Sequence, residues 1–188
     1  MRITHGSAVR PKRGERECGD AIVVRADGER TLLAVVDALG HGPVAAEIAA
    51  LACAHLRTIS LDGEILAMIQ GLHFALKGSR GAAAMLCRIE GTRISACGVG
   101  NVEVRAQGTS LSSVLSPGIL GVAVRKFQTF AGEVGPGTRL VLFSDGISQH
   151  FALADVRTVG AKEASESILS RHGRDHDDAA VLVADVED

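Results

Sequence analysis

The sequence predicts an α+β fold in which antiparallel sheets pack face to face and helices cover their outer surfaces. The elements follow the order strand hairpin, two adjacent helices, several strands, one further helix and a final strand. This order lacks the regular alternation of strand and helix that builds a parallel sheet, and grouped helices and strands are typical of α+β proteins. The 188 residues are 46% hydrophobic, which is enough for the core of one compact domain.

A short strand is predicted within residues 1–13, and a β-hairpin follows over residues 20–37. The two apolar runs of the hairpin are separated by Asp27-Gly28, and Asp-Gly is a strong signal for a tight turn. Antiparallel pairing then places Asp20 and Asp37 at the same end of the hairpin. The sequence therefore predicts two carboxylates near one point at the edge of the core.

Two helices are predicted after the hairpin. Pro43 suits the first turn of a helix that continues to Thr58, and Asp62 is predicted to cap the second helix. In the first helix, the side chains predicted to face the core are Val44, Ile48, Leu51 and Ala52. In the second helix, they are Ile65, Ile69, Leu72 and Leu76.

The second half of the chain is predicted to be rich in strands. Apolar and alternating runs between turn residues predict strands over 81–88, 92–97, 102–106, 127–134 and 139–143. A third helix is predicted over 161–171, ending at Gly173. A near-continuous apolar run predicts the final strand over 179–186.

Composition excludes several classes of protein. The net charge of −2, with acids and bases interspersed, provides no basic surface suited to nucleic acid. No apolar run approaches the ~18 residues that span a bilayer, and the N-terminus lacks the apolar core of a signal peptide. The expected location is therefore the cytoplasm, with neither nucleic acid nor membrane as a partner.

The cysteines give no sign of a zinc site or a disulfide framework. Cys18, Cys53, Cys87 and Cys97 form no Cys-x-x-Cys pair. Three of them lie in apolar helix or strand patterns, so buried free thiols are the favoured interpretation over zinc ligands or disulfides.

Four acids share one setting at the edge of an apolar strand. Asp20 and Asp177 precede strands, whereas Asp37 and Asp145 follow them. Each acid alone could cap a helix or begin a turn. Together they suit a hard divalent cation, which prefers oxygen ligands, and the lack of a His or Cys cluster disfavours zinc. Two such cations ~3.5–4 Å apart can activate water for attack on phosphorus without a protein nucleophile.

Five short motifs are spread over nearly the whole chain. They are Cys18-Gly19-Asp20, Asp37-Ala38-Leu39-Gly40-His41-Gly42, Gly98-Val99-Gly100-Asn101, Ser144-Asp145-Gly146 and Asp177-Asp178-Ala179-Ala180-Val181. Their order and spacing resemble those of the metal-dependent (PPM, or type 2C) serine/threonine protein phosphatases. The chain is most similar to the SpoIIE-like bacterial branch of that family, and within it to RsbX-type feedback phosphatases. Those enzymes act on phosphorylated STAS-domain proteins of stressosome modules, so the resemblance implies such a partner here.

The resemblance implies an αββα sandwich of two antiparallel sheets flanked by helices, as a single minimal phosphatase domain over residues 1–188 without a regulatory domain. It also implies two Mn²⁺ or Mg²⁺ ions at one end of the sandwich. Asp37 would bridge both ions, and the backbone carbonyl of Ala38 would bind one of them. Asp145 and Asp177 would bind the other ion, and Asp20 would act through a metal-bound water.

The resemblance further implies residues that support the ligands. Asp178, Gly146 and His41 would lie behind or beside them, with His41 as a candidate for protonating the leaving group. Family members grip the phosphate with an arginine near the N-terminus. Arg10 and Arg13 are the candidates for that role, and ordinary solvated basic residues are the open alternative.

Two departures from the family pattern keep a second function open. Ala38 stands where the family usually has Gly, and Ala180 replaces a usual Ser or Thr. The leading hypothesis is a phosphatase that hydrolyses phosphoserine or phosphothreonine on a partner regulator. The alternatives are a catalytically decayed module that binds a regulator, and a structural domain whose acids are turn residues. The stretch 107–126 is a candidate for partner docking, with packing on the core as its alternative.

Overall fold

A computed structural model describes all 188 residues. The twelve strands are β1 (Arg2–Arg10), β2 (Asp20–Asp27), β3 (Arg30–Ala38), β4 (Ala82–Glu90), β5 (Arg93–Val99), β6 (Glu103–Gln107), β7 (Leu115–Ser116), β8 (Gly118–Ile119), β9 (Ala123–Val124), β10 (Thr129–Glu133), β11 (Arg139–Phe143) and β12 (Ala179–Glu187). The helices are α1 (Gly42–Thr58), α2 (Ile65–Ala75) and α3 (Ala161–His172), with a short 3₁₀ helix at Leu153–Val156.

The strands form two sheets that pack face to face. The first sheet has the order β1-β12-β11-β6, and the second has the order β10-β5-β4-β3-β2. All neighbours along these two paths are antiparallel. The short β7 adds to β5 in parallel, and β8 pairs with β9 as a separate hairpin. The predicted α+β sandwich of two antiparallel sheets is confirmed.

Three apolar layers hold the four structural layers together. Met85 and Leu142 belong to the layer between the two sheets. The outer face of the second sheet packs on α1 and α2 through residues such as Leu56 and Leu72. The outer face of the first sheet packs on α3, where Phe143 is the largest buried side chain. Because the chain has no Trp or Tyr, aliphatic side chains fill most of this space.

The hairpin formed by β2 and β3 has the predicted register. Asp20 lies opposite Asp37 at its open end, and the turn at Asp27-Gly28 closes the other end. Gly28 has a φ of +58°, a left-handed conformation that glycine adopts without strain. The carboxylates of Asp20 and Asp37 therefore lie next to each other on adjacent strands, as the sequence predicts.

Two details of the helix predictions are wrong. Val44 and Leu51 are 45% and 46% exposed, because α1 packs on the sheet through a narrower stripe of small side chains such as Ala45 and Ala52. Asp62 does not cap α2, which begins three residues later at Ile65; Asp62 forms an ion pair with Arg30 instead.

The cysteines are free thiols, as predicted. Cys53, Cys87 and Cys97 are buried, and Cys18 is half-buried. Burial raises the pKa of the Cys18 thiol to about 12, so this cysteine stays protonated and poorly nucleophilic near neutral pH.

None of the three α-helices combines the length and the apolar composition that crossing a bilayer requires.

Candidate active site

The ends of three strands meet at one cleft of about 350 Å³ at one end of the sandwich. Asp37 comes from β3, Asp145 lies two residues after β11, and Asp177 lies two residues before β12. The full lining consists of Lys12, Asp37, Leu39, Gly40, His41, Ala83, Asn101, Asp145, His176 and Asp177. Antiparallel pairing of β11 with β12 places the end of one beside the start of the other. The fold thus brings together acids that are far apart in the sequence.

A larger cavity of about 570 Å³ lies at the opposite end of the first sheet. Its buried cation, Arg139, is paired with Asp185 through Nε and also donates to two backbone carbonyls. Asp185 is thus neutralised, whereas none of the three aspartates of the smaller cleft forms an ion pair.

The carboxylates of the cleft repel one another. The pKa of Asp37 is raised to about 7, first by burial and then by the negative charges of Asp145, Asp177 and Asp178. Burial, followed by the charge of Asp177, also raises the pKa of Asp145 above its usual range, although Arg174 and Asn101 oppose this shift. Such a cluster is stabilised when a cation neutralises it.

Asp20 lies behind Asp37 and does not line the cleft. It accepts a short hydrogen bond from the hydroxyl of Ser144, whose oxygen in turn accepts the amide proton of Ala180 at 2.9 Å. Burial, and then the neighbouring charge of Asp37, raise the pKa of Asp20 well above its usual range. Ser144 therefore connects β2 with the residues at the ends of β11 and β12.

Asp145 is held in position from two sides. The side-chain amide of Asn101 donates to Oδ2 of Asp145 at 2.6 Å. The guanidinium of Arg174 donates to the Asp145 backbone carbonyl at 3.1 Å, and the Arg174 amide donates to the Gly146 carbonyl at 2.7 Å. These contacts fix Oδ2 and the backbone of Asp145, whereas Oδ1 accepts no hydrogen bond.

Asp178 holds the loop between β1 and β2. Its carboxylate accepts the backbone amide protons of Lys12 at 2.7 Å and of Gly19 at 2.8 Å. Asp178 is 3% exposed and does not line the cleft. Gly146 packs against it so closely that an added Cβ would lie 1.8 Å from the Asp178 carbonyl oxygen. Both residues thus fix the backbone around the site.

Ala38 and His41 follow Asp37 along the chain. Ala38 is buried at the end of β3, and its amide donates to the Gly19 carbonyl at 3.0 Å. No residue other than glycine has a positive φ, so alanine occupies this position without backbone strain. His41 lies at the rim of the cleft, with Nδ1 2.8 Å from Oε1 of Glu15.

The two arginines predicted to contact phosphate lie outside the cleft lining. Arg10 forms an ion pair with Asp175 at 3.3 Å, and its Nη2 is buried without a hydrogen-bond partner. Arg13 is exposed in a turn, where its backbone amide donates to the Asp175 carbonyl. Lys12, between them, is the basic residue of this segment that lines the cleft.

The oxygen-rich donor set fits a hard divalent cation. Three aspartates line the cleft, and repulsion between them would be relieved by positive charge. In this arrangement, no group of three His, Cys, Asp or Glu side chains is placed so that it could hold a metal ion. The assignment of Asp37, Asp145, Asp177, Asp20 and the Ala38 carbonyl as ligands therefore stays a prediction.

Sequence reasoning missed four residues of this region. Asn101 and Ser144 lie within recognised motifs, and their places beside Asp145 could have indicated a role. Lys12 and His176 lie in irregular loops, where no periodic pattern marks the direction of a side chain.

Comparison with known proteins identifies the family. Residues 27–187 match the family model described as Stage II sporulation protein E (SpoIIE). The phosphoserine phosphatase RsbX of Bacillus subtilis (strain 168) is 29% identical over 142 residues, which cover 73% of this chain and 71% of RsbX.

Solved structures share the fold. One such chain comes from a study of the bacterial stressosome, a modular system adapted to control secondary messenger signalling. It superimposes with a TM-score of 0.92 at 33% identity, covering 98% of this chain and 100% of that one. RsbX in complex with magnesium gives a TM-score of 0.86 at 22% identity, covering 98% and 96% of the two chains. The catalytic domain of the serine/threonine phosphatase PstP, with two manganese ions, gives 0.74 at 19% identity, covering 99% of each.

The fold and the sequence relatives define a protein serine/threonine phosphatase of the PPM (type 2C) class, which confirms the predicted enzyme class. Within that class, the chain belongs to the SpoIIE family.

Proposed function

We propose that this phosphatase removes phosphate from serine or threonine of a partner regulator, a STAS-domain protein of a stressosome-type sigma-factor control module. The observation that carries this proposal is the convergence of Asp37, Asp145 and Asp177 on one cleft. Two similarities support the choice of partner. RsbX is named a phosphoserine phosphatase, and the 33% identical chain comes from work on a bacterial stressosome.

The proposal includes two Mn²⁺ or Mg²⁺ ions, as PstP holds two manganese ions and RsbX was solved with magnesium. Asp37 and the Ala38 carbonyl would hold one ion, and Asp37, Asp145 and Asp177 the other, with Asp20 acting through water. Bound cations of this kind supply an activated water and stabilise charge on the phosphate. Asn101 and Ser144 orient Asp145 and Asp20 through their hydrogen bonds.

Binding of the phosphate group needs a positive charge close to the acids. Lys12 lines the cleft beside Asp37 and Asp177, whereas Arg10 is occupied by Asp175. Lys12 is therefore the first choice for a phosphate contact, ahead of Arg10 and Arg13. His41 lies at the rim, where its ring could reach a leaving group if the contact with Glu15 opened.

The departures from the family pattern do not favour a decayed binding module. Ala38 has ordinary strand geometry, and only its backbone carbonyl is needed. The Ala180 side chain lies in the core between the sheets, while its amide hydrogen-bonds to Ser144. All the carboxylates that the proposal requires are present.

The proposal predicts phosphate release from a phosphorylated STAS-domain protein of the same genome, in the presence of Mn²⁺ and not after chelation. Asp37→Asn and Asp145→Asn each remove a charged oxygen ligand and should lower kcat/KM by at least ~100-fold. Asp155→Asn, at an exposed carboxylate on the 3₁₀ helix, is the matched control and should retain wild-type turnover. Wild-type turnover in both cleft variants would contradict the proposal.

A further inference from the structure

Two stretches of the chain carry positive charge and no negative charge. Residues 65–89 and 104–132 contain no Asp or Glu. They include the exposed cations Lys77, Arg80, Arg125 and Lys126. None of these four side chains forms an ion pair, although eight ion pairs are present elsewhere. In a chain with net charge −2, this separation of charge leaves an unneutralised basic region.

Each of the two stretches also exposes apolar side chains. Phe74 is 64% exposed and Val122 is 57% exposed. The ammonium nitrogen of Lys77 lies 4.3 Å from the centroid of the Phe74 ring, which joins the apolar and basic features. Exposed aromatic and aliphatic groups combined with charge are characteristic of surfaces that bind other proteins.

Backbone contacts join these residues into one surface. The hairpin formed by β8 and β9 hydrogen-bonds to α2, where Nδ1 of His73 accepts the Gly121 amide at 3.1 Å. It also pairs with the start of β4, as the Ala82 amide donates to the Leu120 carbonyl at 3.1 Å. We call the resulting surface the basic-apolar surface; it consists of Phe74, Lys77, Arg80, Val122, Arg125 and Lys126.

The basic-apolar surface is continuous with the cleft. Leu39 and Gly40 line the cleft, and the Leu39 amide donates to the Gly81 carbonyl at 2.9 Å. A Cβ added at Gly40 would lie 3.4 Å from Nη1 of Arg80. Arg80 therefore lies between the acidic cleft and the remaining cations. A protein whose phosphorylated residue entered the cleft would place neighbouring residues against this surface.

We propose that the basic-apolar surface docks an acidic segment, with apolar residues interspersed, of the phosphoprotein whose ester is hydrolysed in the cleft. The inference rests on the proposed function and adds the chemistry by which the substrate is chosen. Unpaired cations attract an acidic partner and accelerate productive encounter. Phe74 and Val122 give apolar contacts that a free phosphate or a small ester would not use.

Two synthetic phosphoserine peptides test the docking surface. One carries Asp, Glu and Leu on both sides of the phosphoserine, and the other has Asn and Gln in place of the acids. The wild-type protein should hydrolyse the acidic peptide with a kcat/KM about tenfold higher, and the preference should decrease with added salt. The double variant Arg125→Glu with Lys126→Glu should abolish the preference. Phe74→Ser should lower kcat/KM for both peptides relative to p-nitrophenyl phosphate.

A matched double charge reversal provides the control. Lys162→Glu with Arg171→Glu changes two exposed cations on α3, which covers the other sheet, and should retain the preference. Equal kcat/KM for the two peptides in the wild type, or a preference that persists in the Arg125/Lys126 variant, would overturn the inference. A third outcome would also overturn it: the wild type binds phosphatidylglycerol vesicles, and the Arg125/Lys126 variant loses this binding but keeps the peptide preference. The surface would then bind lipid. Failure to hydrolyse either peptide or p-nitrophenyl phosphate would contradict the proposed function itself, and the docking inference with it.

Discussion

Asp37 has an unusual protonation behaviour because it is buried among other carboxylates. Its pKa of about 7 lies far above the usual value for an aspartate, with burial as the larger cause and repulsion from Asp145 and Asp177 as the second. Between the unfolded and folded pKa values, the folded chain binds more protons than the unfolded chain. The free energy of unfolding of the cation-free protein should therefore decrease as the pH rises from about 4 to about 7.

The same linkage predicts a pH-dependent cation affinity. A divalent cation competes with the proton on Asp37, so the association constant for Mn²⁺ should rise by about tenfold per pH unit below pH 7 and level off above it. Isothermal titration calorimetry between pH 5.5 and 8 measures this slope. The control is Asp155→Asn, which should show the wild-type slope. An affinity that is constant over this range would contradict the protonation state described for Asp37.

Asn101 is predicted to position a ligand without binding the cation itself. Its amide holds Oδ2 of Asp145 at 2.6 Å, so Asn101→Ala should let this carboxylate rotate and lower the Mn²⁺ affinity by about tenfold. The thermal unfolding temperature of the cation-free variant should change little, since Asn101 is exposed. Equal Mn²⁺ affinities of the wild type and Asn101→Ala would show that the hydrogen bond does not orient Asp145.

Asp178 connects the loop between β1 and β2 to the start of β12 through two hydrogen bonds. Asp178→Ala would leave the amides of Lys12 and Gly19 without their acceptors, and should lower the free energy of unfolding by about 2–3 kcal/mol. Asp178→Asn keeps one acceptor oxygen and should lose about half as much. Urea denaturation of the three proteins gives these values. Unchanged stability in Asp178→Ala would mean that the loop is held by other contacts.

The elements that sequence reasoning predicted well are those with a strong local signal. The Asp27-Gly28 turn set the hairpin register, and the apolar run at 179–186 marked the final strand, which the structure extends to Glu187. The buried face of α1 was misjudged, because close packing through alanines exposes Val44 and Leu51, and periodicity alone does not fix how wide the contact is.

The acids of the candidate site were predictable from the sequence, whereas the position of Lys12 was not. Acids at strand ends are visible in the sequence, and the sandwich brings Asp37, Asp145 and Asp177 to one cleft. The position of Lys12 in the cleft depends instead on a hydrogen bond from its backbone amide to Asp178, 166 positions away, which holds the loop after β1. No local pattern encodes such a contact, so only the folded chain reveals it.

The two packed sheets together form the frame that positions the site. Asp37 comes from the second sheet, whereas Asp145 and Asp177 come from the first, and the apolar layer between the sheets fixes their separation. The basic-apolar surface lies on the side covered by α2 and is carried by the same second sheet. The frame thus places an acidic cleft beside a basic surface, which suits a phosphoprotein substrate.

Anomalous diffraction from crystals grown with Mn²⁺ would locate the cations in the cleft. We expect two peaks about 3.5–4 Å apart, one of them within ligand distance of Asp37, Asp145 and Asp177 and the other beside Asp37 and the Ala38 carbonyl. Crystals of Asp37→Asn should lose at least one peak. A cleft without Mn²⁺ peaks in wild-type crystals, at concentrations that support turnover, would show that these aspartates do not form the metal centre.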